Sequence, residues 1–193
     1  MTETESARTP RERYRAQVRT EVKERAWEQI ATAGASALSL NAIAKKMGMS
    51  GPALYRYFAS RDELITELIR DAYRSLADTF HAAAGPGSDL GVLARALREW
   101  ALADPHRYLL VYGTPIPGYR APRDTAETAS EIMAVLLEAL PVPEPPARAL
   151  PRALSFWTRL HGVLSLELAG HFTGMDVDPA QLFGTEVRSL LSP

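Results

Sequence analysis

Ser39-Leu40-Asn41-Ala42-Ile43-Ala44-Lys45-Lys46-Met47-Gly48-Met49-Ser50-Gly51-Pro52-Ala53-Leu54-Tyr55-Arg56-Tyr57-Phe58 is the stretch that decides the fold. Ser39 is a capping residue ahead of a short helix over Asn41 to Met47, and Gly48 stops that helix by taking a left-handed conformation. Ser50 caps a second, very short helix running through Tyr57, with Pro52 in its first turn, where a missing N–H costs nothing. Leu40, Ile43, Ala44 and Met47 form the apolar face of the first helix, and Leu54 and Phe58 that of the second. Helices this short are unstable alone and must be held by neighbours. The outer face is then free to enter a DNA major groove. Gly51, Pro52 and Ala53 are small enough to let the backbone approach base edges and the thymine methyl. Tyr55 and Tyr57 carry hydroxyls suited to phosphate oxygens, and Lys45, Lys46 and Arg61 add cations. The competing reading is an ordinary helical hairpin whose tyrosines pack locally; the coincidence of glycine turn, caps, cations and tyrosines argues against it.

Outward from this stretch the chain reads as helices throughout. Thr9-Pro10-Arg11-Glu12 is a capping box with proline at the first helical position, opening a helix with Val18, Val22, Ala26 and Ile30 at helical spacing that ends near Gly34. Ser60-Arg61-Asp62-Glu63 is a second capping box. It starts a long helix carrying Leu64, Ile65, Leu68, Ile69, Ala72, Tyr73, Leu76 and Phe80. Gly85-Pro86-Gly87 breaks the pattern. Helices follow over Asp89 to Leu102, after Asp104-Pro105, and over Thr125 to Leu140, with a loop at Gly113 to Tyr119 between the last two. Pro141-Val142-Pro143-Glu144-Pro145-Pro146 is a further break. An apolar helix then runs to about Gly170, with Pro151 either kinking it or starting it. Asp178-Pro179 opens the last helix, which ends near Leu191. The fold class is all-α, about nine helices. An amino-terminal three-helix domain over 12–75, with its helix-turn-helix at 39–58, is joined by the long helix to a carboxy-terminal domain over 76–193.

The composition removes several function classes. The chain has 193 residues and 21.2 kDa, enough for one ordinary domain or two small ones, and it has no cysteine, hence no disulfide, thiolate metal site or cysteine nucleophile. No apolar run reaches the ~18–20 residues needed to cross a bilayer, and the start Met1 to Ser6 is polar and acidic, so a cytoplasmic protein without membrane contact is expected. The net charge of −1 hides an asymmetry. Residues 1–61 hold 11 Lys and Arg against 6 Asp and Glu, and the remainder 11 against 17. A basic end on an acidic body points one end at a polyanion.

The residues from Ser39-Leu40 through Ile43-Ala44, Gly48-Met49-Ser50, Leu54-Tyr55-Arg56-Tyr57-Phe58 and Arg61-Asp62-Glu63-Leu64 resemble the amino-terminal domain of the TetR/AcrR family of bacterial transcriptional regulators over residues 12–75. The resemblance implies that Tyr55 and Arg61 hold phosphates, that Gly51, Pro52, Ala53 and Tyr57 face the bases and that Arg56 reaches DNA; Ser39 and Ser50, the two caps, complete the DNA-binding set with Lys45 and Lys46. Arg61 stands where lysine is usual and Tyr57 where histidine is common. Pro105, Tyr108, Gly113 to Tyr119, Ala121-Pro122, Trp157, His161-Gly162, Leu166-Glu167-Leu168 and Gly170-His171 resemble the carboxy-terminal subgroup named for a Trp-His-Gly motif. What this implies is a homodimer joined through its last two helices, with a pocket for a small effector in each carboxy-terminal domain.

Trp157 and His161 are i and i+4, so they share a helix face. Either they line that pocket or they are a core tryptophan over a hydrogen-bonded histidine. Trp100, Tyr108 and Tyr112 divide between the same two readings, and with Phe80 they complete the candidate ligand set. Tyr119 is expected to pin its proline-rich loop. His81, His106, His161 and His171 form no i, i+4 pair and no HExxH is present, so no metal and no cofactor are expected. No nucleophile elbow, P-loop or dinucleotide fingerprint appears, so no enzyme is expected. Two functions remain. One is a DNA-binding regulator, a repressor released from a palindromic double-stranded operator by a mostly apolar small molecule that tilts the long helix. The other is a helical ligand-binding or adaptor protein without a DNA-binding role. Arg8, Arg11, Arg13 and Arg15 are candidates for added phosphate or minor-groove contacts.

Overall fold

In the computed structural model, the residues described are 9–85, 89–120, 122, 125–140 and 145–191. Arg8, Pro86, Gly87, Ala121 and the break at Pro141 to Glu144 lie outside them. The described residues are helical, with no strand. They fall into two compact units. The first holds the chain up to Leu68 together with Pro115–Arg120; the second holds Ile69–Thr114 and the chain from Ala121 onward.

In the first unit, α1 (Pro10–Ala33) opens with the expected capping box. The Glu12 N–H donates to Thr9 Oγ1 at 3.3 Å, and the Thr9 N–H donates to the Glu12 carboxylate at 2.8 Å. Val18, Val22, Ala26 and Ile30, four residues apart, are its buried stripe. Gly34 ends it, and a 3-10 turn (Ala35–Ala37) leads to Ser39, whose hydroxyl accepts the Ala42 N–H of α2 (Leu40–Lys46). The Gln29 carboxamide holds the Ser39 N–H at 3.0 Å and so fixes where α2 begins. Gly48 has φ 66°, the left-handed turn anticipated for it. Ser50 then caps α3 (Gly51–Leu54), which is shorter than the sequence suggests; three further turn residues lead to the fully buried Phe58. The helix stops early because the Arg56 and Tyr57 N–H groups close back three residues, to Ala53 and Leu54, in a tightened last turn. The long helix α4 (Arg61–Ala83) starts with Ser60 Oγ accepting the Glu63 N–H, while the Glu63 carboxylate reaches back to the Ala59 N–H, one residue earlier than a regular capping box.

In the second unit, α4 continues from Ile69, followed by α5 (Leu90–Ala103), α6 (Pro105–Tyr112), α7 (Thr125–Glu138), α8 (Pro146–Leu168) and α9 (Pro179–Leu191). Asp89, Asp104 and Asp178 each accept a first-turn N–H, which is why three aspartates stand at three helix starts. Helix α8 is central, packed against α5, α6, α7 and α9. Pro151 lies inside it, and the helix begins five residues earlier. The carbonyl left without a donor is that of Ala147, which is exposed and reachable by water. Phe80, Leu93, Leu97, Tyr108, Leu136, Phe156, Leu160 and Phe183 lie in one buried cluster. A two-pronged ion pair, Arg98 to Glu167 at 2.8 and 3.1 Å, joins α5 to α8, and the Arg98 guanidinium lies 5.5 Å from the Phe183 ring on α9.

Candidate nucleic-acid interface and ligand cage

The outer face of the helix-turn-helix is built from short side chains and exposed cations. Lys45, Lys46, Ser50, Pro52 and Arg56 are exposed, and Tyr55 is 45% exposed. Lys46 is 3.8 Å from Glu28, a surface pair worth little. Gly51 and Ala53 are half-buried. A Cβ on Gly51 would meet Asn41 Oδ1 at 3.0 Å, so that glycine also lets α3 approach α2 closely. Tyr57 is half-buried, with the Arg15 guanidinium 6.0 Å from its ring.

Arg61 has partners within its own unit. Its Nη2 donates to the carbonyls of Ala35 and Ser36 at 3.1 and 3.0 Å, tying the start of α4 to the turn that precedes α2. Sequence reasoning missed Arg19. It donates to the Tyr57 carbonyl, sits 4.1 Å from the Phe58 ring and pairs with Glu63 and Glu67 at 3.7 and 3.3 Å. Arg15, one turn earlier, donates to the Arg56 carbonyl at 3.3 Å. The Arg56 and Tyr57 carbonyls lie in the turn after α3, and these two guanidiniums supply donors that hold that turn against α1. Their i, i+4 spacing on α1 was the available signal.

In the second unit the six aromatic candidates converge. Trp157 and His161 are 4.1 Å apart between ring centroids, His161 and Tyr112 are 4.3 Å apart, and Tyr108 stacks on His161 at 5.5 Å. Phe80 meets Trp157 edge-on at 6.2 Å, and Trp100 meets Tyr108 at 6.5 Å. Tyr73, not among the candidates, closes one side against Tyr112 at 6.1 Å. We call this arrangement the cage. Its polar groups divide in two. The Tyr108 hydroxyl is fully satisfied, 2.9 Å from His161 Nδ1 and from Ser165 Oγ. The Trp100 indole N–H donates to Ser75 Oγ, which also accepts from Arg107. Tyr112 Oη and His161 Nε2, by contrast, are the buried side-chain polar atoms left without a partner among the described residues. Burial lowers the His161 pKa to about 4, so its ring is neutral at pH 7. Burial, followed by the neighbouring Tyr73 and Tyr108, raises the Tyr112 pKa, and burial raises that of Tyr108 against the opposing Ser165 hydrogen bond. The cage is therefore uncharged, aromatic and short of two hydrogen bonds. Ser165, four residues after His161 on the same face, was the missed polar member.

A basic, exposed helix-turn-helix on an all-helical body defines the class of helix-turn-helix transcriptional regulators. The model for bacterial regulatory proteins of the tetR family matches residues 24–68, and that for the tetracyclin repressor-like carboxy-terminal domain matches residues 90–190. The HTH-type transcriptional regulator Rv1816 of Mycobacterium tuberculosis strain H37Rv is 33% identical, with 92% of each chain covered. The crystal structure of SCO4313 is 64% identical, with a TM-score of 0.90 over 96% of this chain and 100% of that one. A transcriptional regulator of the TetR/AcrR family from Thermobifida fusca shares the fold, with a TM-score of 0.68 at 20% identity over 91% and 97% of the two chains. The chain belongs to the TetR family of DNA-binding transcriptional regulators. This selects a DNA-binding regulator over a ligand-binding or adaptor protein without a DNA-binding role. Among the described residues, no helix is long and apolar enough to cross a membrane.

Proposed function

We propose that the protein is a cytoplasmic homodimeric repressor, with a DNA-reading half over 12–75 and an effector-binding half over 76–193, released from a near-palindromic operator by an uncharged aromatic small molecule. The observation that carries the effector reading is the pair of unpartnered polar atoms, Tyr112 Oη and His161 Nε2, set in a wall of aromatic rings. Each buried polar group left unmade costs about 1–3 kcal/mol, which a ligand offering a donor and an acceptor recovers. Trp157, Tyr112 and Phe80 supply flat apolar contact, and Tyr108, His161 and Trp100 fix the polar edge. Of these, Tyr108, Trp157 and His161 also carry the resemblance to the Trp-His-Gly subgroup.

The DNA reading rests on Lys45, Lys46, Tyr55 and Arg56 for phosphates, with Ser39, Ser50, Gly51, Pro52, Ala53 and Tyr57 setting how closely α3 meets the bases. Arg61 joins them as a phosphate ligand and also fixes the turn ahead of α2. The dimer reading rests on Leu150, Leu154, Leu166, Met175 and Val177, large apolar side chains left exposed on α8 and on the turn that follows it. A thermal-shift screen of neutral aromatic compounds, followed by release of a DNA fragment from upstream of the gene, tests the whole reading. A ligand at about 100 times its Kd adds about 2.7 kcal/mol to folding. Binding that disappears in Tyr112→Phe and His161→Phe is the expected result; compounds that bind equally well to both variants would place the effector elsewhere.

A further inference from the structure

Three of the side chains expected at the DNA do not stand on a helix. Helix α3 ends at Leu54, and Tyr55, Arg56 and Tyr57 form the turn that follows it. The backbone bonds within that turn are the tightened kind that reach back three residues. The Arg56 N–H meets the Ala53 carbonyl at 3.4 Å, and the Tyr57 N–H meets the Leu54 carbonyl at 2.8 Å. The carbonyls of Arg56 and Tyr57 are bonded from outside the turn, by the Arg15 and Arg19 guanidiniums of α1. A DNA-reading turn of this kind takes its shape from the donors that hold it.

The two arginines are not equivalent. Arg19 lies 4.1 Å from the ring of the fully buried Phe58, and Glu63 and Glu67 on α4 offset its charge. Arg15 is exposed and, among the described residues, belongs to no ion pair. Its guanidinium makes two contacts at once. One nitrogen donates to the Arg56 carbonyl at 3.3 Å, and the central carbon lies over the Tyr57 ring, 6.0 Å from its centroid. A flat fork suits both tasks, since its face covers a ring while its edge meets a carbonyl. An ammonium is a compact point charge and serves one of them at a time.

We propose that Arg15 is a positioning residue for operator recognition: it fixes the angle at which the Tyr57 ring meets the bases, and so helps to set which base pairs the protein prefers. Tyr57 is only half-buried, so its ring is not held by the core alone. A ring ordered before DNA arrives loses less freedom on binding, and it distinguishes a thymine methyl from another base edge only when held at one angle. The charge of Arg15 attracts phosphates whichever cation stands at the position, so a substitution can separate charge from positioning. This inference rests on the reading of Tyr57 as a base-facing side chain, and the test distinguishes the two.

The test uses the full-length protein. Duplexes selected by the wild type from a random-sequence pool define the preferred base at each position, and fluorescence anisotropy on the best duplex and its single-base variants measures the discrimination. Tyr57→Ala should lose about fivefold or more of that discrimination at a subset of positions. Arg15→Lys should lose it at the same positions while keeping the salt slope and the thermal midpoint of the wild type. Adding Arg15→Lys to Tyr57→Ala should cost less than about a further twofold, because the residue being positioned is already gone. If Tyr57→Ala does not fold, Tyr57→Leu takes its place in the cycle. An Arg15→Lys protein that keeps the full discrimination, or that loses affinity equally for every duplex, would overturn the proposal, and so would losses that add in the double variant. Discrimination unchanged in Tyr57→Ala would remove Tyr57 from the base-facing residues and overturn the positioning role with it. A wild type that selects no preferred sequence would refute the operator reading itself, and the proposal would fall with it.

Discussion

Acidification should destabilise this protein through one histidine, and the size of the effect follows from where that ring sits. His161 is neutral in the folded state, with a pKa of about 4 caused by burial, against 6.5 for an unburied histidine. The folded value is the lower one, so the unfolded chain binds the extra proton first. The stability that His161 contributes is complete above pH 6.5 and is lost as the pH falls from there toward 4. At pH 5 the loss is about 2 kcal/mol, from a full difference of about 3 kcal/mol. The titratable rings in contact with it, Tyr108 and Tyr112, stay protonated across this range because burial raises both. Urea unfolding of the wild type and of His161→Gln at fixed protein concentration, at pH 7.5, 6 and 5, isolates the term, since carboxylates common to both proteins cancel in the difference. The difference in unfolding free energy should change by about 2 kcal/mol across the series. A difference that stays flat would mean that the folded ring takes up its proton as readily as the unfolded one, and the desolvated cage around it would be wrong.

Other expectations follow from the same geometry. Arg61→Ala should lower unfolding stability by about 1–3 kcal/mol, because the Ala35 and Ser36 carbonyls lose a charged donor; an unchanged denaturation midpoint would return Arg61 to a purely DNA-facing role. Lys45→Ala with Lys46→Ala should weaken binding uniformly across DNA sequences and flatten the salt slope by about 2, measured by anisotropy at several ionic strengths. Gly48→Ala should cost about 1–2 kcal/mol in thermal unfolding, because φ 66° strains any residue with a Cβ. Light scattering should give twice the 21.2 kDa chain mass, and Leu154→Glu with Leu166→Glu should shift it to the monomer.

What the sequence disclosed is the part of the structure governed by neighbours in the chain. Thr9, Ser39, Ser50 and Asp104 cap helices because their side chains meet N–H groups three residues on, and that spacing is visible in one dimension. The clustering of Trp157 with His161 was legible for the same reason. The employment of the long side chains was not. Arg19 reaches a carbonyl 38 residues away, Arg61 one 26 residues away and Tyr119 a hydroxyl 53 residues away. Arg61 matched a phosphate-binding position by type and place, and only its three-dimensional neighbours reveal the carbonyls that hold it. Tyr119 was expected to pin its own loop, and it does so by gripping another helix. The satisfied Tyr108 beside the unsatisfied Tyr112 was beyond reach too, since both tyrosines lie on one short helix and differ only in what faces them.

The assignment of Pro115–Arg120 to the amino-terminal unit has a consequence for how the protein is made. The DNA-reading head is not a contiguous segment. Its helices have all left the ribosome's catalytic centre once Leu68 is added, yet the Thr66 hydroxyl finds its Tyr119 partner only 53 residues later. At about 5–20 residues per second, the nascent head waits roughly 3–10 s for its last piece. A chimeric regulator cut at residue 68 and grafted onto a foreign body would wait indefinitely, so a transplantable head needs the six-residue loop as well as the helices.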